Sequence, residues 1–254
     1  MDIQLFLPIV ILAFVCELVD SSLGMGYGTT LTPLLLIMGY EPVEIVPAVL
    51  ISECITGFLA GVLHHEFGNV NFRPGTRDFK VMVVMSALSV MGALVAVVVA
   101  VNVPTWLVKL YIGVLVLGLG VAILAFAFRR KEVAFSWRRI AGLGLLASFN
   151  KGISGGGYGP VVTGGQVLAG ISGASAIGIV SLAEGITSTV GIVAYLVSGA
   201  PFPWGLAPSL VLGAVLSVPF AAFLVSRLST GQLTWAIGSL TTLLGGYTLV
   251  RLVV

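Results

Sequence analysis

Four acidic side chains and one lysine interrupt long apolar stretches of this sequence. They are Glu17, Asp20, Glu53, Lys151 and Glu184. A charge inside a membrane-spanning segment costs at least about 2.5–3.5 kcal/mol, so a residue of this kind is by default a candidate functional group. An acid in this setting can carry a proton, and a lysine can bind an anion. These five side chains are therefore the first candidates for function.

A glycine-rich motif occurs twice, and its two copies are 131 residues apart. The first copy is Ser21–Gly28, SSLGMGYG, and the second is Gly152–Gly159, GISGGGYG. At this offset, without a gap, the matched pairs are Gly24 and Gly155, Gly26 and Gly157, Tyr27 and Tyr158, Gly28 and Gly159, Thr32 and Thr163, Gly39 and Gly170, Glu53 and Glu184, and Thr56 and Thr187. Asp20 aligns with Lys151 in the same register. The chain is therefore predicted to contain two repeats, 1–131 and 132–254, within one domain.

The glycine motifs have two interpretations. Glycines let helices approach closely, so they could serve packing alone. Irregular backbone at membrane depth is tolerated where it lines a cavity, so they could also form a binding site. The paired copies, rich in Ser, Thr and Tyr, favour the site. The predicted substrate-binding residues are Ser21, Ser22, Gly24, Gly26, Tyr27, Gly28, Asn150, Lys151, Ser154, Gly155, Gly157, Tyr158 and Gly159.

The acidic residues also leave alternatives open. Glu53 and Glu184 are each followed three residues later by a threonine on the same helical face. Either the carboxylates accept hydrogen bonds from orphan amides of a nearby half-helix, or they form a protonatable relay, since burial favours a neutral acid. Asp20 and Lys151 form an ion pair at the centre, or Lys151 binds an anion. The proton-coupling candidates are Glu53, Glu184, Asp20 and Glu17.

The composition identifies an integral membrane protein. Of 254 residues, 58% are hydrophobic and 9% charged, and the mean hydropathy is +1.14. Soluble domains carry roughly 25% charged residues, so this chain cannot cover a water-facing surface. The net charge of +2 is too small to indicate nucleic-acid binding. The lipid bilayer is the expected partner, in the plasma (inner) membrane, with multiple passes.

Hydropathy predicts an all-α protein of about 8–10 membrane segments. The predicted segments are 4–20, 29–39, 43–63, 79–101 and 105–128, then 138–150, 160–170, 173–198, 205–225 and 231–253. A full span needs about 20 apolar residues, so 29–39 and 160–170 are too short. Each repeat is therefore predicted to begin with a helix, a glycine break and a half-helix that starts near Thr29 or Pro160. The result is a broken helix or a re-entrant hairpin.

Loop charges predict that the two repeats are inverted. The loops 64–80 and 129–139 are basic, which places them in the cytoplasm. The repeat partner of the first loop, Ser198–Trp204, carries no charge and is expected outside. Inversion needs an odd number of crossings in each repeat, so each hairpin counts as two of five. A parallel repeat with four crossings per unit is the competing arrangement.

Other motifs point away from enzymes and metal sites. Cys16 and Cys54 lie in apolar segments and are interpreted as small core residues. His64, His65 and Glu66 lack a third ligand or an H-E-x-x-H pattern, so a solvated cluster at the membrane edge is expected rather than a metal site. No nucleophile motif or nucleotide-binding loop is present. Neither an enzyme, a cofactor nor a metal is expected.

The segment Glu17–Gly28, with Pro33 and Glu53, resembles the TauE/SafE family of sulfite exporters, also called TSUP transporters, and so does Asn150–Gly159. The resemblance extends over essentially the whole chain. It implies transport of small sulfur-containing anions: sulfite, thiosulfate, sulfoacetate or another organosulfonate. Inverted repeats with broken helices are typical of secondary transporters with a midplane site, and helix N-termini attract anions.

Together these features predict a secondary transporter that works by alternating access, with proton coupling as an added hypothesis. A passive anion channel is the alternative, since two funnels meeting at glycine turns also describe a pore. A membrane-embedded scaffold or enzyme is a third class, and the absence of soluble domains and of a nucleophile–base set argues against it. The direction of transport, the coupling ion and a homodimer are left open.

Overall fold

The computed structural model describes residues 6–40, 42–100, 105–129, 134–154, 158–197 and 205–253. Within these ranges it contains ten α-helices and no strand. They are α1 (Leu7–Leu23), α2 (Tyr27–Ile37), α3 (Pro42–Glu66), α4 (Arg77–Ala100), α5 (Thr105–Arg129), α6 (Trp137–Ser154), α7 (Tyr158–Leu168), α8 (Gly173–Val197), α9 (Ala207–Arg227) and α10 (Thr230–Val253). The all-α prediction is confirmed.

The break between α1 and α2 depends on glycine backbone geometry. α1 begins with a proline in its first turn and ends before Gly24, which adopts φ +70°. Gly26 adopts φ +128°. Both values lie in a region that residues with a Cβ rarely adopt, so the chain reverses there at little cost only because it has glycines. The helix–break–half-helix order predicted for the first repeat is therefore present.

The second repeat follows the same order. α6 ends at Ser154 and α7 begins at Tyr158, and residues 155–157, including Gly155 and Gly157, lie outside the described residues. Both half-helices begin two residues before the predicted starts at Thr29 and Pro160. The reason is visible in the first repeat, where the Asp20 carboxylate accepts the backbone N–H of Tyr27 and so caps the helix at that residue.

The α6–α7 pair is a helical hairpin. The backbone N–H of Ser136, just before α6, donates to the Ala169 carbonyl at 3.2 Å, just after α7. The Arg139 guanidinium donates to the Leu168 carbonyl at 3.2 Å. Both ends of the hairpin therefore lie at the same end of the molecule, and the pair contributes no net crossing.

Helices at matching positions of the two repeats pack against each other in antiparallel orientation. Along α3 and α8, Leu50 lies against Gly191 and Gly61 against Leu182, while a Cβ at Gly57 would lie 2.6 Å from the Gly185 amide nitrogen. The residue numbers thus rise along α3 as they fall along α8. The same holds for α5 and α10, where Gly113 faces Leu249 and Leu124 faces Gly238. This orientation favours the inverted relation over the parallel one.

The other large helix contacts also join a helix of one repeat to a helix of the other. α1 packs along α9 as α4 packs along α6, and α3 packs on α9 as α8 packs on α4. Among residues with described side chains, four helical stretches are long and apolar enough to cross a membrane. They are Glu44–Glu66, Gly173–Val193, Ala207–Arg227 and Thr230–Val250.

Several loops meet at one end of the molecule. The Ser175 hydroxyl, near the start of α8, donates to the Asp78 carboxylate at 3.1 Å. Arg77 lies over the Phe135 ring, with its guanidinium carbon 5.2 Å from the ring centroid. The basic loop 64–80 and the segment before α6 therefore share this end, which is the one predicted to be cytoplasmic.

Candidate functional site

The half-helix α7 contacts the first glycine break. The Thr163 hydroxyl of α7 donates to the Gly24 carbonyl at 2.7 Å. A Cβ at Gly24 would lie 2.5 Å from the same Thr163 hydroxyl oxygen. A Cβ at Gly159 would lie 2.7 Å from the Gly24 carbonyl oxygen and from the Met25 Cα. Close packing therefore requires glycine at Gly24 and Gly159, and it brings the start of α7 against the first break.

Asp20 holds the start of the half-helix α2. Its Oδ1 accepts the Tyr27 backbone N–H at 3.1 Å, and its side chain is buried. A carboxylate at this place satisfies one of the unpaired amides of a helix start and interacts favourably with the helix dipole. Asp20 therefore caps α2 at Tyr27, while a capping role for Glu53 or Glu184 stays a prediction. The predicted pairing of Asp20 with Lys151 concerns a lysine side chain outside the described residues.

Tyr27 joins the break to α3. The side chain is 1% exposed, and its hydroxyl lies 2.8 Å from the Ser52 hydroxyl. The ring packs in the apolar cluster around Ile9, Leu31 and Leu35. Tyr27 was predicted to bind substrate, and its position beside the break is compatible with that role. In this conformation the hydroxyl is bonded within the protein.

Glu53 lies directly beside the start of α2. Its Oε2 accepts a hydrogen bond from the Ser188 hydroxyl of α8 at 3.1 Å, and its Oε1 lies 3.2 Å from a Cβ built on Gly28. The sequence placed Glu53 next to the glycine turn, and the structure has it there. Thr56 and Thr187 donate instead to carbonyls one turn back in their own helices, those of Ser52 and Ala183.

Glu17 and its neighbours form an acidic cluster at the end of α1. Glu17 is 2% exposed, and its Oε1 accepts the Ser21 hydroxyl at 2.6 Å. Its Oε2 and the buried Ser22 hydroxyl have no hydrogen-bond partner. The charges of Asp20, Glu53 and Glu184 act on Glu17. The structure thus brings together the four acidic residues that the sequence proposed for proton coupling.

The predicted site residues of the second repeat are described less fully. The backbone of Asn150, Lys151 and Ser154 belongs to α6, and that of Tyr158 starts α7, but their side chains lie outside the described residues. Gly155 and Gly157 are outside them altogether. Gly159 is described and contacts Met25. The roles of these residues in binding stay predictions.

The prediction of a solvated cluster at the membrane edge is wrong for His64. It is fully buried, and its Nε2 donates to the Ser21 carbonyl at 2.9 Å. Because a carbonyl can only accept, Nε2 carries the hydrogen, so Nδ1 accepts from the Asn69 amide at 3.0 Å. That amide also donates to the Ala222 carbonyl at 2.8 Å. His64 thus connects α3, the basic loop and α9 to the end of α1.

Gln166 is a buried polar residue that the sequence interpretation missed. It is 2% exposed, and neither its amide nitrogen nor its amide oxygen has a hydrogen-bond partner. It lies on α7, one turn beyond Thr163. The first repeat has the buried Leu35 at the aligned position. A polar residue aligned with a leucine of the other repeat was the signal that could have identified it.

The described residues contain no group of three His, Cys, Asp or Glu side chains arranged to hold a metal ion. They do bring the half-helix α7 and the first glycine break together beside buried acids. Such a site can hold and release small ions without making covalent bonds.

Comparison with known proteins identifies the family. A family model described as "Sulfite exporter TauE/SafE" matches residues 9–248. The chain belongs to the sulfite exporter TauE/SafE family. It is also 28% identical over 258 residues to "Probable membrane transporter protein YtnM" of Bacillus subtilis (strain 168), which covers 96% of this chain and 83% of that relative. No solved structure matches the chain significantly.

Membership in TauE/SafE settles the class of protein. The chain is a membrane transporter, not an enzyme. With its apolar helices it is a multi-pass protein of the plasma membrane. The resemblance stated from the motifs Glu17–Gly28 and Asn150–Gly159 is confirmed over nearly the whole chain.

Proposed function

We propose that this TauE/SafE chain is a secondary transporter of small sulfur-containing anions: sulfite, thiosulfate, sulfoacetate or another organosulfonate. The observation that carries the proposal is the contact between the half-helix α7 and the first glycine break, where the Thr163 hydroxyl donates to the Gly24 carbonyl. Glu53 lies beside the same break at Gly28. Broken helices that meet in this way are typical of the substrate sites of secondary transporters.

An anionic substrate suits the ends of the half-helices. α2 begins at Tyr27 and α7 at Tyr158, and both starts are at the breaks. The first amides of a helix point out of its N-terminus and carry about half a positive charge, so they attract anions. Lys151, three residues before the end of α6, adds a full positive charge to the same motif. An oxyanion of sulfur would accept hydrogen bonds from these groups.

Alternating access requires that the protein can open to either side, and inverted repeats provide two related halves for this. Antiparallel packing of α3 with α8 and of α5 with α10 supports the inverted relation. The contact of α7 with Met25 and Gly24 joins a piece of each half, which supports a site between them. We expect the opening movement to separate or slide these two breaks.

Proton coupling follows from the charges at the site. An anion next to Glu53 and the acidic cluster at the end of α1 is repelled when these acids are ionised. Protonation removes the repulsion, so proton binding and anion binding favour each other. A proton gradient would then drive the anion, in the direction set by the gradient.

The test is counterflow in proteoliposomes. Vesicles are loaded with unlabelled sulfite, thiosulfate, sulfoacetate or taurine, and entry of the labelled anion is measured. A transporter gives saturable exchange of at least one of these anions. A channel gives ionic conductance without exchange, and that result would replace the proposal. Exchange of none of the four, by protein that binds none of them in a thermal-shift assay, would refute the substrate class.

A glycine variant tests whether the breaks form the site. In Gly159→Ala the new Cβ would meet the Gly24 carbonyl oxygen, so we expect exchange to be lost. Gly142→Ala is the matched control, because a Cβ there has no atom within 4 Å. It should exchange like the wild type. Equal exchange by both variants would mean that the contact between the breaks is not needed for transport.

A further inference from the structure

Glu17 is the most deeply buried acid at the end of α1 and has the fewest partners. It is 2% exposed, its Oε1 accepts one hydrogen bond from Ser21, and its Oε2 accepts none. We propose that Glu17 is the residue that carries the coupled proton, held on Oε2. This inference rests on the transport function proposed above and names the residue behind its coupling.

The hydrogen bonds of Glu17 favour the neutral acid. A buried carboxylate needs donors at both oxygens, because an unpaired charge away from water costs far more than an unpaired hydroxyl. The Ser21 hydroxyl at 2.6 Å satisfies Oε1 as a carbonyl oxygen. A proton on Oε2 completes the group without a counter-ion. The geometry thus fits a carboxylic acid with a hydrogen-bonded C=O and a hydroxyl ready to donate.

The charges around Glu17 favour the same form. Three acidic groups act on it: Asp20 from its own helix, Glu53 from α3 and Glu184 from α8. Cys16 and the Tyr27 hydroxyl are its other ionisable neighbours. Another ionisable group that touches the end of α1 is His64 of α3, which donates to the Ser21 carbonyl. Helices α8, α9 and α10 add the exposed Arg227 at the end of α9, the exposed Tyr247, and Tyr195 and Arg251, whose side chains are not described. A negative charge on Glu17 would be repelled by the negative charges of these three acids, so they favour its neutral form.

The other acids of the cluster have different partners. Asp20 accepts the Tyr27 backbone N–H, which stabilises a charged cap. Glu53 accepts the Ser188 hydroxyl and is only partly buried. The second repeat has Ser148, which cannot carry an exchangeable acid proton, at the position aligned with Glu17. Glu17 is therefore a single proton site that belongs to the first repeat alone.

The proposed proton movement involves no covalent step beyond acid dissociation. When the break opens, water reaches Oε2, the O–H bond dissociates, and water takes the proton while the electron pair stays on Oε2. Water then solvates the carboxylate. On closure of the site, Oε2 takes a proton again, because burial of the bare carboxylate is too costly. When the site opens first to one side of the membrane and then to the other, Glu17 thus carries one proton across.

Infrared spectroscopy of the purified protein tests the proton directly and needs no substrate. A protonated buried carboxyl group gives a C=O stretching band separate from those of carboxylates and amides. We expect this band at neutral pH in the wild type and in Glu53→Gln, and its loss in Glu17→Gln. Glu66→Gln, at an exposed position, is the matched control and should keep the band. Loss in Glu53→Gln and not in Glu17→Gln would overturn the proposal.

A second variant keeps the test decisive if Glu17→Gln does not fold. Ser21→Ala removes the donor to Oε1, so the C=O band should move to higher frequency while remaining present. An unmoved band would show that it does not arise from Glu17, which overturns the proposal as well.

Flux measurements separate this inference from the proposed function. Glu17→Gln should retain counterflow of the anion, since glutamine resembles the neutral acid in shape. Its accumulation of anion in response to a pH gradient should fall to that of protein-free liposomes. Retained accumulation would refute the role of Glu17 and leave the transporter intact. Absence of counterflow in the wild type would refute the transport function, and the infrared band would then stand as a test of protonation alone.

Discussion

Asp20 and His64 hold the end of α1 from two sides. Asp20 caps α2 across the break, and His64 donates to the Ser21 carbonyl from α3. Ser21 in turn donates to Glu17. His64 is thus linked through Ser21 to Glu17, the residue that we propose to carry the proton, so the geometry of the break and the surroundings of Glu17 change together.

The first prediction concerns His64. His64→Ala leaves the Ser21 carbonyl and the Asn69 amide without this partner, and each unsatisfied buried group costs about 1–3 kcal/mol. We expect a clear loss of thermal stability in detergent, measured by a melting curve. Glu66→Ala, two residues along at an exposed position, is the control and should melt like the wild type. Equal melting of both variants would show that the His64 contacts do not stabilise the fold.

The second prediction concerns Lys151. Lys151→Ala should weaken anion binding more than it weakens folding, because the positive charge serves the ligand. Lys151→Arg should also be impaired, since a planar guanidinium does not replace a compact ammonium group. Binding is measured by the thermal shift on adding sulfite, and folding by the melting curve without it. If Lys151→Ala fails to fold and Asp20→Asn restores it, Lys151 is a structural counter-ion.

At the scale of helices, small residues decide how closely equivalent elements approach. α3 and α8 cross where Gly57 meets Gly185 and the Ser181 carbonyl, both 2.6 Å from a Cβ built on Gly57. α5 and α10 cross in the same way at Gly120 and Gly245, whose Cβ atoms would meet the Thr242 and Leu117 backbones. Such crossings give close van der Waals contact between helices in a membrane.

The third prediction tests the crossing of α3 and α8. In Gly57→Ala the added methyl group has only backbone in front of it, so the helices must separate, and overpacking of this kind costs about 1–3 kcal/mol. We expect a lower melting temperature. Gly118→Ala in α5 is the control, since a Cβ there has no neighbour within 4 Å, and it should be as stable as the wild type or more so. A Gly57→Ala protein as stable as Gly118→Ala would contradict the close crossing.

The helices themselves were predictable from the sequence, because their apolar stretches are continuous and their ends carry glycine or charge. Each predicted segment lies within about four residues of its helix. The partners of buried polar groups were not predictable. His64 contacts Ser21 and, through Asn69, the carbonyl of Ala222, which is 153 residues from Asn69. Such burial depends on how distant helices pack, and local patterns do not contain it. The orphan amide of Gln166 was missed for the same reason.

At the scale of the whole molecule, the described residues form a helix, a half-helix and three longer helices in each repeat. The α6–α7 hairpin returns to the end at which it starts. If the three further helices each cross the membrane, the number of crossings is odd, which is the count that the predicted inversion requires. The basic residues of the loop 64–80, which are Arg73, Arg77 and Lys80, lie toward the same end as Arg138, Arg139 and Arg227. That charge distribution is what orients a membrane protein with this end in the cytoplasm.

The fourth prediction follows from this orientation and concerns Pro74 and Gly205. Pro74 is exposed in the basic loop, and Gly205 is exposed beside the uncharged loop 198–204, with no atom within 4 Å of an added Cβ. A membrane-impermeant thiol reagent applied to intact cells should label Gly205→Cys and leave Pro74→Cys unlabelled. After membrane permeabilisation both should be labelled, and the wild type, with Cys16 and Cys54 within α1 and α3, gives the background. Because equivalent loops of inverted repeats face opposite sides, equal labelling of both variants in intact cells would exclude inversion and support the parallel repeat.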